Sequence, residues 1–125
     1  MSYYDQMVSF SELVGKTITE IKGNVNSEQL YFICSDGTKY IMEHHQNCCE
    51  SVSIDDIVGD LTDLLDSPII QASEDSNCNN GKPGADSFTW TFYNIATTKG
   101  HVTIKWYGES NGYYSEEVSF CKVKE

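Results

Sequence analysis

Two hydrophobic rhythms run along this chain. A period of two puts alternate side chains of an extended strand on one face; Thr17–Lys22, rich in β-branched residues and ended by Gly23-Asn24, reads as such a strand, as do Leu30–Ser35 and Thr38–Glu43 on either side of Asp36-Gly37. Asp-Gly is a two-residue turn whose twist suits a hairpin. In that register Tyr31, Ile33, Tyr40 and Met42 share one face and Leu30, Phe32, Cys34 and Ile41 the other. Both faces are apolar, which predicts a central hairpin covered on both sides. The same period returns in Phe88, Trp90 and Phe92, in Val102, Ile104 and Trp106, and in Val118 and Phe120. Three-residue loops at Thr98-Lys99-Gly100 and Ser110-Asn111-Gly112, with glycine left-handed, would pair Phe92 with Trp106, Ile104 with Val118 and Val102 with Phe120. The spacing therefore predicts a three-stranded C-terminal meander with a single core face.

The second rhythm lies between Asp55 and Asp66. Ile57, Val58, Leu61, Leu64 and Leu65 fall at i, i+1, i+4, i+7 and i+8, the apolar stripe of an amphipathic helix, following an extended piece at Cys49–Ile54 and ended by Ser67-Pro68. Asp56, Asp60 and Asp63 then share the opposite face, with Asp55 and Asp66 at the ends. Like charges one turn apart oppose such a helix by about 0.2–0.5 kcal/mol per pair and Gly59 by about 1 kcal/mol, so packing has to hold it. Ser9-Phe10-Ser11-Glu12 has the capping-box pattern and Gly15 the stop signal, predicting a short helix over 10–14. Pro68–Ser73 reads as a strand opening on proline. Glu74–Asp86, with glycine, proline and several asparagines, reads as a flexible loop. The expected fold is α+β: one domain over residues 1–125, mainly antiparallel sheet with one acidic amphipathic helix and a short N-terminal helix.

Charge sharpens this picture. The chain holds 19 acids against 8 lysines, a net charge of -11, with no arginine, and residues 40–81 contain acids but no lysine. Arginine supplies the forks that grip phosphate and guanine, so direct nucleic-acid binding is not expected. Cationic surfaces should be attracted instead. Five cysteines at 34, 48, 49, 78 and 121 form no regular disulfide framework. The segment MSYYDQMVSF lacks the basic flank and apolar run of a signal peptide. A reduced, cytoplasmic setting is expected, and no membrane.

Candidate chemistry is sparse. His44, His45, Cys48 and Cys49 are zinc-type ligands, but they are crowded where structural sites separate two pairs. His45, Cys48 and Cys49 thus remain weak metal candidates, against a reading in which the cysteines pack as small apolar groups. A Cys–His nucleophile pair there lacks an orienting third group and an oxyanion loop. The aspartates do not follow the EF-hand order. No cofactor and no enzymatic activity are expected. Thr89, Thr91, Tyr93, Thr103, Lys105 and Tyr107 would form the outer face of the meander: plain solvated surface, a seat for a small ligand on Tyr93, Lys105 and Tyr107, or part of a tyrosine-rich protein interface.

Three runs, QNCCESVSIDDIVGDLTDLLDSPI, TWTFYNIATTKGHVTIKWYGESNGYYSEEVSF and LVGKTITEI with SDGTKYIMEH, carry a resemblance. The chain resembles a family of small uncharacterised proteins of bacteria and their phages, known only as a domain of unknown function. The resemblance implies a prokaryotic or phage cytoplasm and brings no activity. It directs attention to Cys48, Cys49, Glu50, Ser51, Glu109, Ser110, Asn111, Tyr113, Tyr114 and Glu116. The expected function is a non-catalytic acidic protein that engages a basic protein partner through Asp55, Asp56, Asp60, Asp63 and Asp66 with Glu109, Asn111, Tyr113, Tyr114 and Glu116. In a phage setting this would be a nucleic-acid mimic acting on a host defence nuclease. The alternatives are a binder of a small ligand such as a nucleotide signal, and a metal-binding domain.

Overall fold

A computed structural model describes residues 6–44, 50–79, 87–110 and 117–123. Its strands are β1 (Gln6–Met7), β2 (Ile18–Lys22), β3 (Gln29–Cys34), β4 (Lys39–Glu43), β5 (Ser51–Val58), β6 (Gln71–Asn79), β7 (Ser87–Thr97), β8 (Gly100–Ser110) and β9 (Ser119–Lys122). They form two antiparallel sheets, ordered β1-β9-β4-β3-β2 and β5-β8-β7-β6. One apolar cluster fills the space between them: Leu30, Phe32, Tyr40, Met42 and Phe120 from the first sheet, and Val52, Ile54, Tyr93, Ile95, Val102, Ile104 and Trp106 from the second. This is the two-layer solution for sheets that each have an apolar face to hide.

Among the described residues there is no α-helix, so the α+β expectation is corrected to all-β. The acidic segment, expected as one helix over 55–66, is β5 followed by a 3₁₀ turn at Leu61–Leu64. The apolar stripe is divided among elements: Ile57 and Val58 end β5, Ile57 packed on the core and Val58 exposed, while Leu61 and Leu64 belong to the 3₁₀ turn and Leu65 follows it. A bulge between Ile54 and Asp56 lets Ile57 face inward after Val52 and Ile54. Gly59, at φ +109, then breaks the strand. The 3₁₀ turn buries Leu64 and is capped by Asp60, whose Oδ1 accepts from the Thr62 amide at 3.0 Å.

The N-terminal helix shrinks to a 3₁₀ turn at Phe10–Leu13 with Ser9 as its cap. Glu12 does not close a capping box there; its Oε2 accepts the Tyr40 hydroxyl at 2.8 Å. Glu74–Asn79, expected as the start of a loop, extend β6 in register with β7, and residues 80–86 lie outside the described residues.

Both main hairpins differ from expectation by one residue, with opposite sense. At Asp36-Gly37 the Cys34 amide donates to the Thr38 carbonyl and Phe32 sits opposite Tyr40, so the loop has three residues, with Gly37 at φ +89. Leu30, Phe32, Tyr40 and Met42 consequently share the inner face. At the β7–β8 turn Thr97 pairs with Gly100, a two-residue loop. Thr91 then lies opposite Trp106, Phe92 opposite Lys105, and Ile95 opposite Val102. A one-residue shift sends every side chain of a strand to the other face. Tyr93, Thr91 and Ile95 are buried, while Phe88, Trp90 and Phe92 point outward. The expected three-stranded meander is also corrected. β9 leaves β8 and joins β4 and β1 in the first sheet, where Phe120 packs with Phe10 and Tyr40 at ring separations of 5.1 Å each.

Candidate functional site

Once β7 is turned over, the outer face of the second sheet carries an aromatic group. Trp90 and Tyr107 are cross-strand neighbours with ring centroids 4.7 Å apart, Phe88 lies 6.2 Å from Tyr107, and Phe92 lies 6.5 Å from Trp90 with the two rings within 15° of parallel. The Lys105 ammonium stands 5.5 Å from the Trp90 ring centroid, within cation–π range. All five side chains are half-buried. They shield one another, and none belongs to the cluster between the sheets. Carboxylates border the group at outward register positions: Asp56 opposite Lys105, Asp75 opposite Phe92, and Glu109 opposite Phe88, with Glu109 Oε1 accepting the Tyr107 hydroxyl at 3.0 Å. An apolar, aromatic centre inside a charged rim is the anatomy of a protein-binding surface.

The expected site residues divide accordingly. Lys105, Tyr107 and Thr103 are on the outer face as read from the alternation. Tyr93 is not; it is fully buried, its hydroxyl 3.4 Å from the Val118 carbonyl, and burial pushes its proton affinity well above that of an ordinary tyrosine. Thr91 is buried as well. Missed were Phe88, Trp90 and Phe92. The signal that reveals them is Ile95, which is in phase with Tyr93 and must face the core beside Val102, whereas Asn94 is in phase with Trp90 and Phe92.

The aspartates do not form one row. Asp55 lies at the β5 bulge and Asp56 beyond it, both exposed. Asp60 is the cap described above, its carboxyl held below the ordinary range by the Thr62 hydroxyl and amide. Asp63 packs against Gly100, where an added Cβ would come within 2.6 Å of its Oδ2, and Asp66 is exposed at φ +61. Asn111, Tyr113, Tyr114 and Glu116 lie outside the described residues, as do His45, Cys48 and Cys49. Among the described residues no three His, Cys, Asp or Glu side chains are grouped to hold a metal ion.

A second feature sits at one end of the sandwich. His44, following β4, and Glu50, preceding β5, form a buried pair with Nε2 and Oε2 2.7 Å apart, their side chains 4% and 0% exposed. The His44 Nδ1 is 2.7 Å from the Glu117 carbonyl. A carbonyl only accepts, so Nδ1 donates its hydrogen to it, and the pair is anchored on a third residue. It ties the end of β4 to the starts of β5 and β9. It also forms one wall of an open groove of about 890 Å³ that is lined further by Lys22, Gln29, Tyr31, Glu43 and Ser51. Both ring nitrogens are engaged, which suits a brace better than a proton-transfer catalyst.

Comparison with known proteins matches residues 11–120 to a family model described as a domain of unknown function, DUF7448. No curated protein and no solved structure matches the chain. Among the described residues no helix is long and apolar enough to cross a membrane.

Proposed function

We propose, for a chain that belongs to the DUF7448 family of domains of unknown function, that it is a non-catalytic binding domain that docks a basic protein through the aromatic face of its second sheet. The observation that carries this reading is the half-exposed group Phe88, Trp90, Phe92 and Tyr107, placed outward by the β7–β8 register and bordered by Asp56, Asp75 and Glu109. Large rings held on a rigid sheet offer apolar contact area at low entropic cost. The rim and a net charge of -11 favour a cationic partner and steer its approach. Nucleic-acid mimicry needs Asp56, Asp60 and Asp63 in a row on one helical face; that segment lies in β5 and a 3₁₀ turn and offers no such row, and the aromatic surface takes its place. The test is capture from a lysate of the source cell by the wild type and by Trp90→Ser/Tyr107→Ser, with the affinity of the captured protein then measured against salt. A partner held by the wild type alone, and more weakly as salt rises, supports the reading. An identical set captured by both proteins overturns it.

The groove beside His44 and Glu50 favours a second reading, a small polar ligand, because it combines a volume suited to one with a buried titratable pair in its wall. A ligand present at about 100 times its dissociation constant stabilises by about 2.7 kcal/mol. A thermal-shift screen of nucleotides separates the readings: a shift abolished by Ser51→Trp, which fills the groove, supports the ligand, and no shift removes it.

A further inference from the structure

The second sheet also has an open edge. Among the described residues four strands end a sheet, and three are blunted by their shortness, a bulge or other pairing. β1 has two residues. β2 has a register irregularity between Ile18 and Glu20, and the chain there makes bridges from Thr17 to Pro68 and from Ile18 to Leu65. β5 has its bulge, and Ile54 is hydrogen-bonded through both its amide and its carbonyl to Ser27 and Asn26. β6 differs. It runs nine residues in unbroken register with β7, from Gln71 opposite Ala96 to Asn79 opposite Phe88, and has no strand on its other side among the described residues. Residues 71–79 contain neither lysine nor proline; their charges are the carboxylates Glu74 and Asp75, which guard the edge against an acidic or identical strand but not against a cationic one. The first 3₁₀ turn packs beside β6, and the bonds of Gly15 and Lys16 to Ile69 engage the chain just before it. Along the strand Ser73, Glu74, Asp75 and Ser76 are exposed.

We infer that β6 accepts an extended, lysine- or arginine-bearing segment of a partner protein as a fifth strand. Backbone hydrogen bonds supply affinity in such strand addition, and alternate side chains supply selectivity. Here the acceptors of that selectivity are Asp75, on the outward face beside Phe92, and Glu74, on the inward face opposite Tyr93. A second copy of this chain is the poorer occupant. Antiparallel self-pairing centred on β6 sets Asp75 opposite its own copy, and like charges directly opposite oppose pairing. The edge shares Asp75 with the rim of the aromatic face but none of its rings, so loss of binding in Trp90→Ser tests the face alone and strand addition to β6 can fail without it.

The probe is a peptide of alternating lysine and valine with the nine-residue length of β6, and the readout is amide hydrogen exchange resolved by residue. Alternate β6 amides should exchange about tenfold more slowly with the peptide present. Slowing should be lost in Glu74→Lys/Asp75→Lys and with a glutamate–valine peptide, and kept in Trp90→Ser. Circular dichroism establishes that the lysine variant is folded; if that variant does not fold, Asp75→Asn replaces it and should weaken the slowing. No slowing in the wild type, equal slowing by the acidic peptide, or equal slowing in the charge variant overturns the inference. So does slowing without peptide that grows with protein concentration, which would identify a second copy as the occupant.

Discussion

Gly59 shows how one residue decides the path of the chain. At φ +109 it occupies a conformation that side chains rarely adopt, and an added Cβ would meet the His101 carbonyl at 2.6 Å. Gly59→Ala should therefore lower stability by more than about 1 kcal/mol in chemical denaturation. Gly15→Ala, which keeps the backbone penalty at φ +91 but meets nothing within 4 Å, should lower it less. In the sequence Gly59 looked like a tolerated helix glycine; only the approach of His101, more than forty residues on, shows that no other residue fits. Glu74 gives a pH test. Although the residue is exposed, the protein around its carboxyl strips away part of its water and, with the Glu117 charge, raises its pKa above the ordinary value. The folded state therefore holds that proton more tightly than the unfolded chain. Its effect on stability is adverse above the folded pKa and disappears below the unfolded one. Glu74→Gln should raise Tm at neutral pH, with the gain fading as pH falls through the carboxylate range. A constant gain at all pH values would contradict the assignment.

At the level of elements, strands were legible and faces were not. β2, β3, β4, β8 and the 3₁₀ turn at Phe10–Leu13 lie where alternation, β-branched residues, glycine and capping signals put them, and the inward set Val102, Ile104 and Trp106 was readable at once. The two hairpin loops were not, because Ser-Asp-Gly-Thr and Thr-Thr-Lys-Gly each fit a two- or three-residue loop, and each choice exchanges the faces of the flanking strand. In β7 both faces are rich in aromatic residues, so composition could not decide, and only the phase of Ile95 against Val102 does. The β5 bulge was hidden for a related reason, since an inserted residue has no sequence mark beyond the adjacent Asp55-Asp56. The corrected faces predict a contrast. Tyr93→Ala opens a cavity between the sheets and should cost about 3–5 kcal/mol, whereas Trp90→Ala on the outer face should cost far less. Equal losses in urea denaturation would contradict the assignment of faces. His44→Ala, which leaves Glu50 buried without its ring partner, should cost about 3–5 kcal/mol, measured the same way.

For the molecule as a whole, two sheets close over one core, and the second sheet presents a face of rings and an edge strand whose charges are all acidic. The negative charge was plain in the composition. Its placement was not, because Asp56, Asp75 and Glu109 fall opposite Lys105, Phe92 and Phe88 only once the register is known. Neutralising Asp56, Asp75 and Glu109 together should leave Tm nearly unchanged while slowing association with the captured partner and flattening its salt dependence, measurable by surface plasmon resonance at two ionic strengths. All of this depends on which way β7 faces, and cross-strand nuclear Overhauser contacts between β7 and β8 test that most directly. Contacts placing Thr91 opposite Trp106 and Phe92 opposite Lys105 are expected. Contacts pairing Phe92 with Trp106 would turn the rings into the core and contradict the proposed binding face.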